Sequence, residues 1–257
     1  MHPAGGAQYS SRLTMGSFNF YEDPHYADAY SKLEFPGTYY LAYRDLPEIL
    51  ALYVTGTKAI DFGCGAGRST RFLRKLGFDV TGIDISEEMI QKAQTLDPPG
   101  DYRLITDGDF SRLEAQGYDL VLSAFTFDNV PTMETKVRLF TGICGLLKPH
   151  GKMINLVSAP EIYLHEWASF STRKYSENRA AKSGDEVRII NTAIADERPV
   201  VDILMTDEAY RDVYAKAGME IVSVRKPLGR ADEPFAWVNE TTIAPWVIYV
   251  LQNPAHS

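Results

Sequence analysis

The stretch IDFGCGAGRST, residues 60–70, combines a carboxylate with glycines at alternate positions directly after a short apolar run. Asp61 stands two residues before the first glycine, and Gly63, Gly65 and Gly67 follow. Glycine lets a ligand approach the backbone closely, and a nearby carboxylate attracts an ammonium group but repels a pyrophosphate. The spacing is not the G-x-G-x-x-G of dinucleotide sites, because Arg68 takes the third position, and the Gly-Lys-Ser/Thr of phosphate loops is absent. We therefore expect a cationic ligand at this loop.

Two further acids extend the pattern. Asp84 ends the next predicted strand, where a carboxylate can accept two hydrogen bonds from a ribose diol. Asp107 follows the third predicted strand, where it can accept a hydrogen bond from an adenine amino group. Acids at three successive strand ends around a glycine turn predict a nucleoside with a cationic tail. S-adenosylmethionine is such a molecule.

The elements that must position these residues alternate between strand and helix. The predicted strands are TKAIDF, DVTGID, YRLIT, YDLVLSAF and KMINLV. Between them lie the predicted helices GRSTRFLRKLG, SEEMIQKAQTL with Ser86 as cap, and one whose apolar face is Met133, Val137, Phe140, Cys144 and Leu147. This alternation predicts an α/β, Rossmann-like parallel sheet with helices on both faces, where ligands bind beyond the carboxyl ends of the strands.

The remaining segments predict a single domain over 19–257 after a flexible tail at 1–18. Residues 19–56 read as a helical lid containing EDPHYADAYSKLE and a second helical stretch broken near Pro47. Residues 57–157 form the cofactor-binding core, and 158–205, where the alternation stops, form an insert on the substrate side that contains the strand-like EVRIINTAI. Residues 206–257 add a helix, DEAYRDVYAKAG, and the strands MEIVSVRK and APWVIYVLQ to the core.

Composition excludes several classes of function. With 257 residues and a net charge of −8, the chain suits one large acidic domain, which disfavours a nucleic-acid substrate. No apolar run has the length of a membrane span, and the start lacks the apolar centre of a secretory signal, so we expect a cytoplasmic protein. The two cysteines, Cys64 and Cys144, are too few for a disulfide framework or a cysteine-based zinc site, so we expect no metal.

The motifs DFGCGAG, GIDIS, ITDGD, YDLVLSAFTFDNVP and LLKPHGKMINLV occur in this order, and together they resemble the class I S-adenosylmethionine-dependent methyltransferase family, most closely its small-molecule branch. The resemblance runs from about residue 57 to 157 and more faintly through the last helix and strands. It implies a seven-stranded sheet whose last strand runs antiparallel between its neighbours. It also implies a set of cofactor contacts: Gly63, Cys64 and Gly65 beside the methionine part, Asp84 at the ribose, Ile85 and Met89 around the adenine, Asp107 with Gly108 at its amino edge, and Ala124 at the end of the fourth strand.

Two arginines can meet the carboxylate of methionine. Arg44 lies one short helix before the first strand, where related enzymes often carry such an arginine, and Arg68 begins the helix after the glycine loop. The tyrosines of the lid can approach a sulfonium through cation–π attraction, although packing on the core explains most of them as well. They are Tyr21, Tyr26, Tyr30, Tyr39, Tyr40 and Tyr43.

Methyl transfer needs alignment above all, and a base only where the acceptor atom carries a proton. The candidate bases are His165, Asp128 and Glu166; a hydrogen-bonded insert histidine and a helix cap are the competing interpretations of the first two. Large aromatic residues in the insert and the carboxyl region predict a small apolar or aromatic acceptor. We select Tyr30, Tyr163, Trp167 and Trp237 as substrate-binding candidates, while Glu166, Asp202 and Glu240 are candidates to anchor an acceptor amine.

Three other functions remain open at this point. A peptide or protein N-methyltransferase would use a polar, acid-lined groove. A non-catalytic module would keep the fold, bind the nucleoside or nothing, and serve a partner. A nucleotide-dependent oxidoreductase is disfavoured because the phosphate fingerprint is absent. The oligomeric state and the atom methylated do not follow from the residues.

Overall fold

The computed structural model describes residue 35 and residues 37–194 and 198–254. The predicted tail and the predicted first helix, EDPHYADAYSKLE, lie outside the described residues. The helices are α1 (Thr38–Arg44), α2 (Leu46–Tyr53), α3 (Arg68–Lys75), α4 (Glu87–Leu96), α5 (Met133–Leu146) and α6 (Asp207–Lys216). The strands are β1 (Lys58–Phe62), β2 (Asp79–Asp84), β3 (Asp101–Leu104), β4 (Tyr118–Ala124), β5 (Leu147–Ser158), β6 (Phe170–Ser171), β7 (Glu186–Asn191), β8 (Pro199–Ile203), β9 (Glu220–Arg225) and β10 (Trp246–Gln252).

Seven strands form the main sheet, in the order β3-β2-β1-β4-β5-β10-β9. β1 pairs in parallel with both β2 and β4, so strand order reverses at the centre of the sheet. β10 runs antiparallel to its neighbours β5 and β9. The predicted Rossmann-like fold and the antiparallel last strand are therefore confirmed. The carboxyl ends of β1 and β4 border the crevice in which open α/β sheets bind ligands.

Both faces of the sheet are covered by apolar side chains. On one face, α1, α2 and the insert pack through residues such as Leu41 and Leu46. On the other face, α5 and α6 pack through residues such as Phe140 and Tyr210. Helices on both faces leave the central strands β1, β4 and β10 almost fully buried, which explains their near-continuous apolar sequences.

The buried face of α5 differs from its predicted face. The buried residues of α5 are Lys136, Leu139, Phe140, Ile143 and Leu146. Of the predicted apolar face, Phe140 is fully buried, whereas Met133, Val137 and Cys144 are partly buried and pack against the same core. The buried arc is wider than predicted because α5 packs against both the sheet and α6, which also brings a lysine into the interior.

The insert contains a second, three-stranded antiparallel sheet in the order β6-β7-β8. The predicted strand EVRIINTAI corresponds to β7, which pairs with β8 so that Val187 lies opposite Asp202. The apolar residues Phe170, Val187 and Ile189 join this sheet to the core that also contains β10. The insert therefore lies against the core, and Asp202 of β8 is buried.

Among the described residues, no helix is both long enough and apolar enough to cross a membrane.

Candidate functional site

The glycine loop connects β1 to α3 at the carboxyl end of the sheet. Gly63, Gly65 and Gly67 have φ angles of 70°, 52° and 81°, in the left-handed region that favours glycine. A Cβ atom on Gly63 would lie 2.1 Å from Thr126, and one on Gly67 would lie 2.5 Å from Tyr102. A Cβ atom on Gly65 would meet no described atom within 4 Å. The loop is thus packed at both ends and has open space at its middle.

Asp84 holds the middle of this loop to the end of β2. Its Oδ2 accepts a 2.8 Å hydrogen bond from the Gly65 N–H, and its Oδ1 accepts a 2.9 Å bond from the Ser86 N–H. Burial raises the pKa of the Asp84 carboxyl, while the bonds from Ser86 and Gly65 oppose that shift. A carboxylate offers about four lone-pair sites, so Asp84 can still accept hydrogen bonds from two hydroxyl groups.

Asp61 is fully buried beneath the loop. Its Oδ2 accepts 2.6 Å hydrogen bonds from the hydroxyls of Ser69 and Thr70, which ties the start of α3 to β1. Its Oδ1 is buried without a hydrogen-bond partner among the described residues. Burial raises the pKa of the Asp61 carboxyl to about 6, although the hydroxyl bonds and the charge of Arg68 oppose the shift. An unpaired buried oxygen of this kind can accept a hydrogen bond from a ligand N–H group.

Arg44, predicted to bind a carboxylate of the ligand, is engaged within the protein. Its Nε and Nη2 donate to the carboxylate of Asp45 at 2.7 Å and 3.1 Å. Its Nη1 donates to Glu233 at 2.7 Å and to the Leu228 carbonyl at 2.9 Å. These contacts tie α1 to the segment before β10. They disfavour the predicted ligand contact, because the guanidinium would have to leave two carboxylates to make it.

Arg68 lies closer to the glycine loop. Its guanidinium carbon is 4.7 Å from the centre of the Tyr39 ring and 5.4 Å from that of Tyr43. The positive charge of Arg68 lowers the pKa of Asp61, which lies beneath the loop. Arg68 directly follows Gly67 of the loop at the start of α3. The side chains of Tyr39 and Tyr43 are buried, as the packing interpretation of the lid tyrosines requires.

The residues predicted for the adenine end differ in exposure. Ile85 is 54% exposed beside Asp84 and so offers a free apolar surface. Met89 is 1% exposed, which leaves its side chain little surface for a ligand. Asp107 is exposed, and its Oδ2 accepts a 2.7 Å hydrogen bond from Arg138. A Cβ atom on Gly108 would lie 2.0 Å from Arg138, so this arginine covers the predicted adenine edge.

A small cavity, partly open to solvent, lies between the insert and the carboxyl ends of β4 and β5. Its lining residues are Tyr39, Phe125, Asp128, Asn129, Ser158, Ile162, Tyr163, Phe170, Ile189, Val200, Asp202 and Trp246. All of them except Asn129 and Val200 are buried. Phe125 has a φ angle of 66°, and Thr126, the next residue, packs against Gly63. A residue that lines the cavity is therefore the chain neighbour of a residue that contacts the glycine loop. We call this cavity the insert cavity.

Four aromatic rings form one wall of the insert cavity. The ring of Trp246 is 4.7 Å from Phe125, 5.7 Å from Phe170 and 5.8 Å from Tyr39, measured between centroids. Tyr39 also lies under the guanidinium of Arg68, so this ring contacts both the cavity and the first residue of α3. We call Tyr39, Phe125, Phe170 and Trp246 the aromatic wall.

Two carboxylates in the same cavity are buried together with a lysine. Asp128 accepts bonds of 3.0 Å and 3.3 Å from the Ser158 N–H and a 3.5 Å bond from the Tyr210 hydroxyl. Asp202 accepts a 2.9 Å bond from the Tyr163 hydroxyl. Lys136 donates to the carbonyls of the 127–130 turn and bonds neither carboxylate directly.

Burial shifts the pKa of all three groups towards the neutral form. It raises the pKa of Asp128 to about 6 and that of Asp202 to about 7, the latter with the help of the neighbouring Asp128 charge. It lowers the pKa of Lys136 to about 8, although the two carboxylates oppose that shift. In this part of the described structure, the charge of one lysine therefore faces the charges of two carboxylates.

The other predicted acceptor-site residues have separate positions. Tyr163 lines the insert cavity. Trp167 is buried outside its lining, and its indole N–H donates to the Ile162 carbonyl at 2.8 Å. Trp237 lies near the segment before β10 and donates to the Arg230 carbonyl at 3.1 Å. His165 packs edge-on against Trp167 and is likewise absent from the lining, so the structure brings Asp128 to the cavity but not His165. Tyr30 lies outside the described residues.

The remaining candidate anchors are occupied in structural bonds. Glu240 is fully buried, and its carboxylate accepts bonds from the Thr38 hydroxyl and from the N–H groups of Ala168, Val238 and Asn239. Glu166 accepts a 2.8 Å bond from the Thr172 N–H and pairs with Arg173. Among the described residues, no group of His, Cys, Asp and Glu side chains is arranged to hold a metal ion.

Sequence reasoning missed the buried lysine beside the cavity carboxylates and named Asp202 only as one of three candidate anchors for an acceptor amine. A signal was present, because Lys136 occupies a position on the same face as Phe140 and Ile143. A cation on an apolar helix face is a reason to look for a buried anion. The strand β8 carries Asp202 among Val200, Val201 and Ile203, which is the corresponding signal in the insert.

Residues 60–155 match the model of a family described as methyltransferase domain. A curated relative, the mitochondrial ubiquinone biosynthesis O-methyltransferase of Homo sapiens, is 32% identical over 105 residues, which are 38% of this chain and 28% of that protein. The S-adenosyl-L-methionine-dependent Diels-Alderase iccD of Talaromyces variabilis is also 32% identical, over 101 residues, with 38% of this chain and 35% of that protein covered. The chain thus spans about a third of the length of these relatives.

The fold also matches a solved structure over most of its length. A crystal structure of SAM-dependent methyltransferases from Methanosarcina mazei aligns with a TM-score of 0.60 at 16% identity, covering 80% of this chain and 96% of that chain. The likeness to this structure concerns the fold, and the segment that matches the family model contains the glycine loop, Asp84 and β4.

Proposed function

We propose that the chain is an S-adenosylmethionine-dependent methyltransferase, because its residues 60–155 match the model of the methyltransferase-domain family. We propose a small, largely apolar molecule as the acceptor, methylated at oxygen or nitrogen. Relatives named for this chemistry, such as the human ubiquinone biosynthesis O-methyltransferase, support the proposal for the matched segment.

The observation that carries the proposal is the bond between Asp84 and the open middle of the glycine loop. The Gly65 N–H is held by Asp84 at 2.8 Å, and the space beside Gly65 is free of described atoms within 4 Å. A nucleoside can place its ribose hydroxyls on Asp84 and its amino-acid part along the loop. The unpaired buried Oδ1 of Asp61 supports the fit, because the ligand carries an ammonium group. The exposed side chain of Ile85 offers an apolar surface for the adenine.

When bound, S-adenosylmethionine supplies a methyl group that is already activated by its attachment to a positively charged sulfur. The task of the protein is then alignment and the exclusion of water. In our proposal Gly65 and Asp84 hold the ligand, and the Arg68 charge stands on the side of its carboxylate. The Thr126 side chain fixes the loop through its contact with Gly63. Asp128 and Asp202 are the candidate bases, because both line the insert cavity while His165 does not.

The insert cavity supports a small acceptor over a peptide. Its walls come from buried residues of the insert, α1 and the sheet, so a peptide backbone has no groove to follow. The aromatic wall and the side chains of Ile162 and Ile189 favour an apolar body. Ser158, Tyr163 and the two carboxylates supply the few polar contacts that orient such a ligand.

Calorimetric titration with S-adenosylmethionine and S-adenosylhomocysteine, with NAD as a control ligand, tests the proposal. We expect binding of the first two, no binding of NAD, and a loss of at least about tenfold in affinity in Asp84→Asn, since the charged acceptor of the ribose bonds is removed. Asp212→Asn is the matched control, because Asp212 is exposed and pairs with Lys216 on the outer surface of α6. Tight NAD binding, or no binding of either sulfur compound, would contradict the proposal.

A further inference from the structure

The insert cavity contains more negative charge than its described surroundings balance. Asp128 and Asp202 both line it, and Lys136 is the described cation that acts on both. The lysine ammonium donates hydrogen bonds to the carbonyls of Phe127 and Val130. With both acids ionised, the three groups together carry one net negative charge.

The two carboxylates are not equally satisfied. Asp128 accepts hydrogen bonds from the Ser158 N–H and the Tyr210 hydroxyl. Asp202 accepts one bond, from the Tyr163 hydroxyl to its Oδ2, and its Oδ1 receives none from the described part of the chain. Removing a carboxylate from water without sufficient donors is costly, so Asp202 is the group that gains most from a ligand donor.

The wall of the cavity also suits a cation. Tyr39, Phe125, Phe170 and Trp246 present aromatic rings to the same cavity that Asp202 lines. Aromatic faces attract organic ammonium groups, and the attraction grows when water is excluded. A neutral hydroxyl would gain a hydrogen bond from Asp202 but nothing from the charge. A phenolate would be repelled by both carboxylates.

On these grounds, and resting on the methyltransferase function proposed above, we infer that the acceptor is an amine, bound in its protonated form with its nitrogen at Asp202 and its apolar body against the aromatic wall. Asp202 is then the specificity-determining residue, and Tyr163 positions its carboxylate through the 2.9 Å hydrogen bond.

The same contact prepares the nitrogen for reaction. An ammonium group has no free electron pair, so it must lose one proton before it can act as a nucleophile. In the inferred arrangement the N–H bond breaks, the proton moves to Oδ1 of Asp202, and the electron pair stays on nitrogen. The carboxylate becomes a neutral carboxylic acid and the ammonium a neutral amine, so charge is conserved within the pair. Lys136 and Asp128 remain as a charge-balanced pair beside it.

Binding of amines and of their neutral alcohol counterparts tests the inference. The probes are phenethylamine against phenethyl alcohol, and tryptamine against tryptophol, titrated by calorimetry into the full chain with S-adenosylhomocysteine present. At about pH 8, where Asp202 is ionised, we expect each amine to bind at least about tenfold more tightly than its alcohol. Asp202→Asn should reduce this preference to within about twofold, while Asp212→Asn should keep it.

The pH dependence of wild-type binding gives a second measurement that needs no variant. The groups that face Asp202 are Tyr163 from the insert, Asp128 after β4, Lys136 of α5 and Tyr210 of α6. Protonation of Asp202 as the pH falls through about 7 removes its charge. Amine binding should therefore weaken about tenfold between about pH 8 and about pH 6, and alcohol binding should not change.

The two proposals fail separately. Equal affinity for amine and alcohol, or no binding of either amine at millimolar concentration, overturns the amine inference whatever the sulfur compounds do. Absence of S-adenosylhomocysteine binding overturns the proposed function, and the amine-to-alcohol comparison without that compound still decides the inference about the cavity.

Discussion

The N–H of Gly65 donates a 2.8 Å hydrogen bond to Oδ2 of Asp84, which joins the glycine loop after β1 to the carboxylate that ends β2. The loop and the acid therefore act as one unit, and a change in either disturbs the same surface. Because a Cβ atom on Gly65 would meet no described atom, the space it would fill is available to a ligand. A side chain introduced at Gly65 can therefore obstruct the ligand without a clash inside the folded protein.

Gly65→Ala should weaken S-adenosylhomocysteine binding at least about tenfold, because the new methyl group projects into the ligand's space. The left-handed φ of 52° also costs stability. That cost should be about 1 kcal/mol. Gly218→Ala is the matched control, since Gly218 has a φ of 74° and its Cβ would likewise meet no described atom within 4 Å, but it follows α6. Calorimetry and thermal unfolding of both variants check the prediction, and equal loss of binding in the two would contradict it.

Asp202→Asn should increase stability at neutral and alkaline pH. Burial raises the folded pKa of Asp202 to about 7, well above its value in an unfolded chain, so the folded protein binds this proton more tightly. Stability is therefore lost as the pH rises from about 4 to about 7, and the asparagine variant avoids that loss. We expect a gain of about 2 kcal/mol at about pH 8 that shrinks towards about pH 4. Denaturant unfolding across this pH range measures it; a pH-independent difference would contradict the assignment.

Lys136→Met should destabilise the protein by about 3 kcal/mol, because it leaves both buried carboxylates without a cation. The carbonyls of Phe127 and Val130 would also lose their donor. Adding Asp202→Asn to Lys136→Met should recover part of the loss, because it removes one of the two buried carboxylates that Lys136→Met leaves without a cation. A double-mutant cycle measured by denaturant unfolding checks this. Strict additivity of the two changes would show that the groups do not interact.

Arg44→Ala and Arg68→Ala should differ in their effects. Arg44 binds Asp45 and Glu233 with a side chain that is 11% exposed, so its loss should cost about 1–2 kcal/mol of stability and change S-adenosylhomocysteine affinity by less than about twofold. Arg68→Ala should weaken that affinity about tenfold, because its charge acts on the loop side. Calorimetry and melting curves on both variants compare the two. A large affinity loss in the Arg44 variant would restore the original interpretation of that residue.

Much of the fold follows from local sequence signals. The predicted strand DVTGID is β2 from end to end, and Ser86 caps α4 as its position predicts, accepting a hydrogen bond from the Met89 N–H. These features depend on hydrophobic periodicity and on capping residues a few positions away, and both can be identified from the sequence. The predicted apolar face of α5 was incomplete, because the burial of this helix depends on two partners distant in the chain.

The candidate ligand loop was also predicted from the sequence, because its glycines and acids follow directly after predicted strands. The partners of the charged side chains were not. No residue near Arg44 in the sequence indicates that this arginine pairs with Glu233. None near Asp128 indicates that this carboxylate lies close to Asp202. Such pairs form only when the insert and the carboxyl segment fold back on the sheet.

The sequence by itself determined the alternating order of strands and helices, the glycine turn and the acids at three strand ends, because these depend on neighbours within one or two elements. Only the tertiary structure decided that Arg44 pairs with Glu233, and that Asp128 and Asp202 line one cavity beside the buried Lys136. The physical reason is that burial and charge act through space between residues far apart in the chain. Local sequence patterns do not indicate which residues far apart in the chain lie close together in space.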